Sequence, residues 1–513
     1  MAETITTERQ DALSKAPFMG RLPIYLDYEA IDETNVVEAL DYALVPFAAN
    51  SHQASYLWRY YKGLQPILKR QKDVRPEINN TVVENHAQEI VAFKIGYQLA
   101  EPLQYTCRMQ AEKGDAAYEA TLAQVNELNT LMFAEDKASC DRDLFEWMCV
   151  CGLGYRMCEA DAREDAEDGG APFEVYTLDP RRTFVAESSA YHHRTLMSVW
   201  VGIKPVTKEA VYNVYTDKML FKISNGRIES QQPHTYGHNP IVEYRLNNAR
   251  MGVFEPVLSL LDAINSVESN RLDDIEQTVQ ALMKFVNCDI DQDDFIAMLK
   301  LGAVKVKTSN EGQPADIDVI KTDLDQSGTQ VTKNDLYQAV VNICGMPNRN
   351  GTKGSSSDTG AAVLLRDGWT LAESHAKSYE LQFKRAERNF LRVALSICRQ
   401  SKDIDLDLRI RDIELAFNRR NYENILVKSQ VLTTMLQSDK IHPQLAFQAC
   451  GLFTDPDAAY KQSCEYMEKN GAGIGEAALA VAAQQAIDEG KGIGPQAAVP
   501  QLEGDNAGTP ASA

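Results

Sequence analysis

The sequence predicts a mainly helical α+β fold, on three observations. Apolar residues recur every three or four positions from Phe254 to Val286 and again beyond residue 360. Short β-rich segments, 173–178 and 196–203, are bounded by Gly, Pro, Asp and Asn, as strand ends usually are. Between the two helical stretches lies 348–359, NRNGTKGSSSDT, which has no apolar side chain and cannot enter a core.

The frame for this reading is a chain of 513 residues, long enough for about two to four structural regions. A hydrophobic fraction of 44% and a charged fraction of 24% are those of an ordinary folded protein. Acidic residues outnumber basic ones by 73 to 52, for a formal charge of −21, and no Lys/Arg run occurs, so tight wrapping of nucleic acid is not expected. The opening MAETITTERQDALSK has neither the basic start nor the apolar stretch of a secretory leader, and no stretch is apolar enough to span a bilayer. A soluble, cytoplasmic protein with reduced cysteines is expected.

From Asn50 to Pro102, Val82, Val83, Ile90, Val91 and Ile95 fit a helix packed on one face, and 115–150 reads as two further helices. Phe254, Val257, Leu258, Leu261, Ile264, Leu272, Ile275, Val279, Leu282 and Val286 then predict one helix over 254–286, about 50 Å long at about 1.5 Å per residue. Pro256 sits in its first turn, where a missing N–H costs nothing. The alternation Val304-Lys-Val306-Lys and Ile317-Asp-Val319-Ile320 makes 287–331 a small β-containing insertion.

Thr332 and Asp335 have capping-box spacing, and Leu336, Val340 and Cys344 share a face, so a returning helix over 332–345 is expected. Gly345 followed by Met346-Pro347 stops it. After the polar segment, Trp369, Ala372, Ala376, Tyr379, Phe383, Phe390, Ala394 and Ile397 predict a second long helix over about 360–400, with a kink at Gly368. A helical pair surrounds 421–436 and 443–451, and the low-complexity end of the chain reads as disordered.

Several motifs suggest chemistry and fall short of it. Cys149, Cys151 and Cys158 lack the paired spacing of a zinc site and read as core thiols. GAGIG at 471–475 follows a helix rather than a strand, and Gly490-Lys491 runs into Gly492 instead of Ser or Thr, so neither is a phosphate loop. Asp289, Asp291 and Asp293 lack the Gly of a calcium loop. Asp323, Asp325, Ser327 and Gly328 fit one until Asn334, where Glu is needed, so they read as a turn before a helix. His192, His193, His234 and His238 have no matching acid or nucleophile pattern and read as turn or surface residues. No enzyme, cofactor or metal is expected.

The order long helix, β insertion, short helix, polar loop, long helix resembles the portal proteins of siphovirus-type tailed bacteriophages. Tyr60-Tyr61-x-Gly63 with Ile67-Leu68, and Ile90-Val91 through Gly96-Tyr97 to Pro102, are similar to that family's N-terminal pattern, although Ala100 stands where Gly is common. In HTYGHNPIVEYRLNNARMGVFEPVLSLLDAIN, the residues His234, Gly237, Pro240, Glu243, Asn247, Asn248, Asp262 and Asn265 sit as the family leads into its stem helix.

The resemblance implies a portal-like architecture: an N-terminal extension at 1–49, a mixed α/β wing at 50–253, stem helices at 254–286 and 332–345, and a β-containing clip at 287–331. A tunnel loop at 346–359, a long wing helix and return segment at 360–415, a helical crown at 416–468 and a tail at 469–513 complete it. It implies a ring of about twelve subunits at one capsid vertex through which double-stranded DNA passes without sequence preference. Implied partners are the terminase large subunit, head-completion or adaptor proteins, and the major capsid and scaffolding proteins. The implied location is the virion, with the host cytoplasm as the site of assembly, and no membrane is involved. An oligomeric helical scaffold or adaptor unrelated to DNA is the alternative.

On this reading Asn348, Arg349, Asn350, Gly351, Thr352, Lys353, Gly354, Ser355, Ser356, Ser357 and Asp358 face the DNA. The glycines free the backbone, the serines offer weak hydrogen bonds to phosphate, and Arg349 and Lys353 offer screened charge. Copies at −21 each would give a ring a charge of roughly −250, whose walls repel rather than hold a phosphate backbone.

Overall fold

The computed structural model describes residues 20–73, 75–108, 116–161, 170–279, 282–286, 291, 293, 296, 316–320, 326–347, 368–401, 404, 406–417, 425–438, 440–453 and 456–470. The chain divides into two units, 1–420 and 421–513. In the first, helix α1 (Val36–Tyr61) presents Val36, Leu40, Ala43 and Phe47 on one face and carries Pro46 in its interior. This face packs on a six-stranded sheet through Phe184, Val199, Val214 and Phe221. The sheet runs β1 (Tyr25–Leu26), β5 (Thr183–Ser188), β6 (Thr195–Ile203), β7 (Ala210–Tyr215), β8 (Met219–Ser224) and β9 (Arg227–Pro233). All neighbours are antiparallel except β1 and β5. The boundary expected between residues 49 and 50 falls inside α1, which continues from this sheet into the main core.

That core gathers α2 (His86–Gln98), α3 (Ala116–Ala134), α4 (Lys137–Cys151) and a three-stranded sheet. The sheet order is β10 (Ile241–Arg245), β3 (Leu153–Ala160), β4 (Phe173–Leu178). Gly152 ends α4 with φ +78°, and a Cβ there would lie 2.1 Å from the Arg250 carbonyl oxygen, so no other residue fits this crossing. Cys149, Cys151 and Cys158 are buried free thiols in this core, as expected, and burial pushes Cys151 up to about 12.

Helix α5 (Leu258–Val279) follows a short 3-10 turn at Glu255–Val257. Next come the antiparallel strands β11 (Leu282–Val286) and β12 (Asp316–Ile320), with Lys284 in register with Asp318. Helix α6 (Gln326–Cys344) returns and α7 (Trp369–Gln400) follows. Finally β13 (Ile413–Ala416) pairs with β2 (Gln104–Cys107).

Three helix expectations are corrected here. The helix expected over 254–286 ends at Val279 and spans 22 residues, about 33 Å rather than 50 Å. Leu282 and Val286 misled the reading because positions four apart share a face in a strand as well as in a helix. Thr332 is no cap: α6 starts six residues earlier, at Gln326, and the Thr332 hydroxyl donates within the helix to the Gly328 carbonyl at 3.1 Å. Gly368, at φ +83°, precedes α7 instead of kinking it.

A buried ionic cluster joins α7 to the core. Lys137 and Arg156 each pair with both Asp141 and Glu387, and the hydroxyls of Tyr105 and Tyr244 donate to Glu387. All four charges are at most 5% exposed. Two cations against two carboxylates leave no net charge in the interior, and their mutual attraction with the two hydroxyl hydrogen bonds offsets the desolvation of each ion. Burial pushes the Glu387 carboxyl up, but Lys137, Arg156 and the two hydroxyls outweigh it and hold it well below the usual carboxylate range.

The second unit holds α8 (Ile425–Leu436), α9 (Pro443–Cys450) and α10 (Pro456–Asn470) around Leu432, Phe447 and Tyr460.

Candidate functional site: a clamped helix pair and the root of residues 348–367

The α5–α6 pair is fixed from outside by an extended segment that donates its backbone to α5. The N–H groups of Asn80, Val82 and Glu84 give hydrogen bonds to Asp273 (2.8 Å), Ser269 (3.0 Å) and Asn265 (2.8 Å). Two extended residues advance about 6.6 Å and four helical residues about 6.0 Å, so alternate donors meet every fourth side chain without strain. Asn265, Ser269 and Asp273 are at most 2% exposed, and Asp273 also holds Arg70 and Lys72.

This polar ladder went unread in the sequence because its residues interrupt the apolar pattern. Their four-residue repeat was the available signal. The outer half of α5 therefore buries a polar face, while Leu272 and Ile275, expected inside, are exposed.

Apolar contact and charge join α5 to α6. Val257, Leu261 and Ile264 belong to the same core as Val340, Val341 and Cys344, and Lys333 bridges Glu268 and Glu84. His86 lies between Glu84 (3.0 Å) and Glu89 (2.8 Å) and against the Tyr337 ring. Burial opposes its protonation, yet the two carboxylates prevail and raise its pKa above the ordinary value.

At the end of α6 the chain turns at Gly345 (φ +59°) beside the His375 ring. Buried Lys94 donates to the Gly345 carbonyl at 3.2 Å. A Cβ on Gly368 would lie 3.6 Å from the Met346 carbonyl oxygen and 3.8 Å from the Pro347 Cα. Pro347 and Gly368 thus lie side by side in the fold. Trp369 packs on Phe93 and Tyr97 there, and the Tyr97 hydroxyl donates to Glu373 at 2.8 Å.

The structure brings together several residues singled out in the sequence. The Tyr60 hydroxyl donates to Asp262 at 2.9 Å, Gln65 meets Asn265, Asn247 closes the turn to Met251, and Glu243 receives Arg245 and Arg250. The His234 Nε2–H donates to the Thr216 carbonyl at 2.8 Å, and burial lowers the pKa of the ring. The predicted DNA-facing residues Asn348 to Asp358, the strand around Val304, and Asp289, Asp323 and Asp325 lie outside the described residues. Among the described residues no three His, Cys, Asp or Glu side chains gather as metal ligands, and no helix is long and apolar enough to cross a membrane.

Comparison with known proteins gives one family model matching residues 50–476, described as phage portal protein, SPP1 Gp6-like. No curated protein matches the chain.

Proposed function

Because this chain belongs to the phage portal proteins of the SPP1 Gp6-like family, we propose that its copies form a ring of about twelve subunits that conducts double-stranded DNA into and out of the capsid. The family is structural rather than enzymatic and serves genome packaging in the bacteriophage capsid. In the proposed assembly α5 and α6 are the stem, the part of 287–331 that precedes α6 is the clip that meets the terminase motor and later the head-completion proteins, and 348–359 is the loop lining the tunnel. Residues 50–253 and 360–415 form the wing, 416–468 the crown, and the ring sits at one vertex of the virion among capsid and scaffolding proteins.

One observation carries this reading. The polar ladder covers one face of α5 while Leu272 and Ile275 on α5, and Val331 and Ile343 on α6, stay exposed. A rigid helix pair with outward apolar side chains suits lateral contact between copies. The adjacent ends at Pro347 and Gly368 let 348–359 be displayed from a single point on that pair.

Negative-stain imaging of the purified protein tests the ring, which should enclose a hole wide enough for a DNA duplex; monomers or dimers at every concentration would overturn it. Deleting Gly351 to Ser357 should leave rings intact and impair DNA packaging or retention. Normally filled particles from that variant would remove the loop's role.

A further inference from the structure

A basic cleft is present among the described residues of this acidic chain. Its volume is about 730 Å³, and it opens between α7, β10 and the turn at 192–195. Five arginines and three carboxylates line it, a surplus of two positive charges in a chain of −21.

The charges inside it are unevenly paired. Arg245 is held by Glu243 and Glu187. Arg194, Arg385 and Arg388 have no carboxylate partner among the described residues, and Arg392 reaches the side-chain oxygen of Asn389. Arg385, Arg388 and Arg392 are exposed and spaced three and four apart, so they stand on one face of α7.

We propose that this cleft receives a carboxylate-bearing surface segment of a second copy of the chain, so that the site is complete only in the assembly. The inference rests on the ring reading above. Charge selects the occupant. The arginine row spans about 10 Å, over which duplex DNA presents about six phosphates, far beyond the surplus, and Asp217 adds a like charge against them, whereas Glu187 and Glu243 are already matched by Arg245 and Arg250. One or two carboxylates from a neighbour match the surplus, and each copy carries an excess of them.

The test uses the full-length protein assembled from isotope-labelled and unlabelled chains. Arg388→Lys supplies an amine for zero-length carbodiimide coupling, and mass spectrometry should find it joined to an Asp or Glu of the other label. In parallel, Arg385→Glu with Arg388→Glu should weaken ring association by at least about tenfold without changing the far-UV circular dichroism of the dissociated chain.

Intact rings whose coupling stays within one chain, or is absent, would overturn the inference and leave the ring reading standing. So would charge reversal that lowers duplex DNA binding but spares ring stability, since the cleft would then belong to nucleic acid. Wild-type protein that forms no ring removes both.

Discussion

The Lys94 ammonium lies 3.2 Å from the Gly345 carbonyl, and no carboxylate among the described residues pairs with it. A buried cation thus marks the point where the chain turns away from α6. Burial holds its pKa down to about 8. Between pH 8 and 10.5 the unfolded chain keeps a proton that the folded chain has released, so stability rises with pH across this window. Compared with Lys94→Met, the wild type should gain roughly 3 kcal/mol over that interval in urea melts. A difference that stays flat with pH would show the ammonium to be solvated.

His86 carries the opposite sign. Glu84 and Glu89 raise its pKa against the pull of burial, so its stabilisation is complete below the ordinary histidine value and is lost as pH rises through the higher folded one. The melting midpoint should fall as pH climbs through that range. His86→Gln should flatten the fall, and an unchanged slope would assign it elsewhere.

Glu387 pairs with two buried cations, and its loss leaves them with Asp141 alone, so Glu387→Gln should cost roughly 3–5 kcal/mol, read as a lowered denaturation midpoint. Adding Lys137→Met should recover part of the loss, because the pair is then removed together. Strict additivity of the two changes would mean the cluster is not coupled.

Asn265→Ala and Ser269→Ala each leave a backbone N–H of the 78–85 segment without its acceptor, a cost of about 1–3 kcal/mol. Hydrogen exchange at Glu84 and Val82 should quicken about tenfold or more while α6 amides hold. Equal acceleration throughout both helices would mean the ladder does not clamp the pair locally.

How far the sequence reveals this fold depends on the range of the interaction. Helices α3 and α4, the strands 173–178 and 195–203 and the buried stripe of α7 follow from spacings within one element, so local pattern sufficed for them. The end of α5 was lost because Leu282 and Val286 satisfy two periods at once. The ladder and the Lys137–Asp141–Arg156–Glu387 cluster were hidden for another reason. Each joins residues far apart in the chain, and buried polar groups resemble surface residues until their partners are known. For the site itself, Tyr60, Asp262 and Asn265 were marked by family likeness, while the partners that explain them, Gln65 and Glu84, were not.

The adjacency of Pro347 and Gly368 has a practical use. A stretch anchored at two neighbouring points can be lengthened at an entropic cost of only about 0.6 kcal/mol per doubling. A short peptide tag for one dye, placed between them, would burden the body of the protein little, and each copy would carry one dye. Stepwise photobleaching would then count the copies in a single assembled particle.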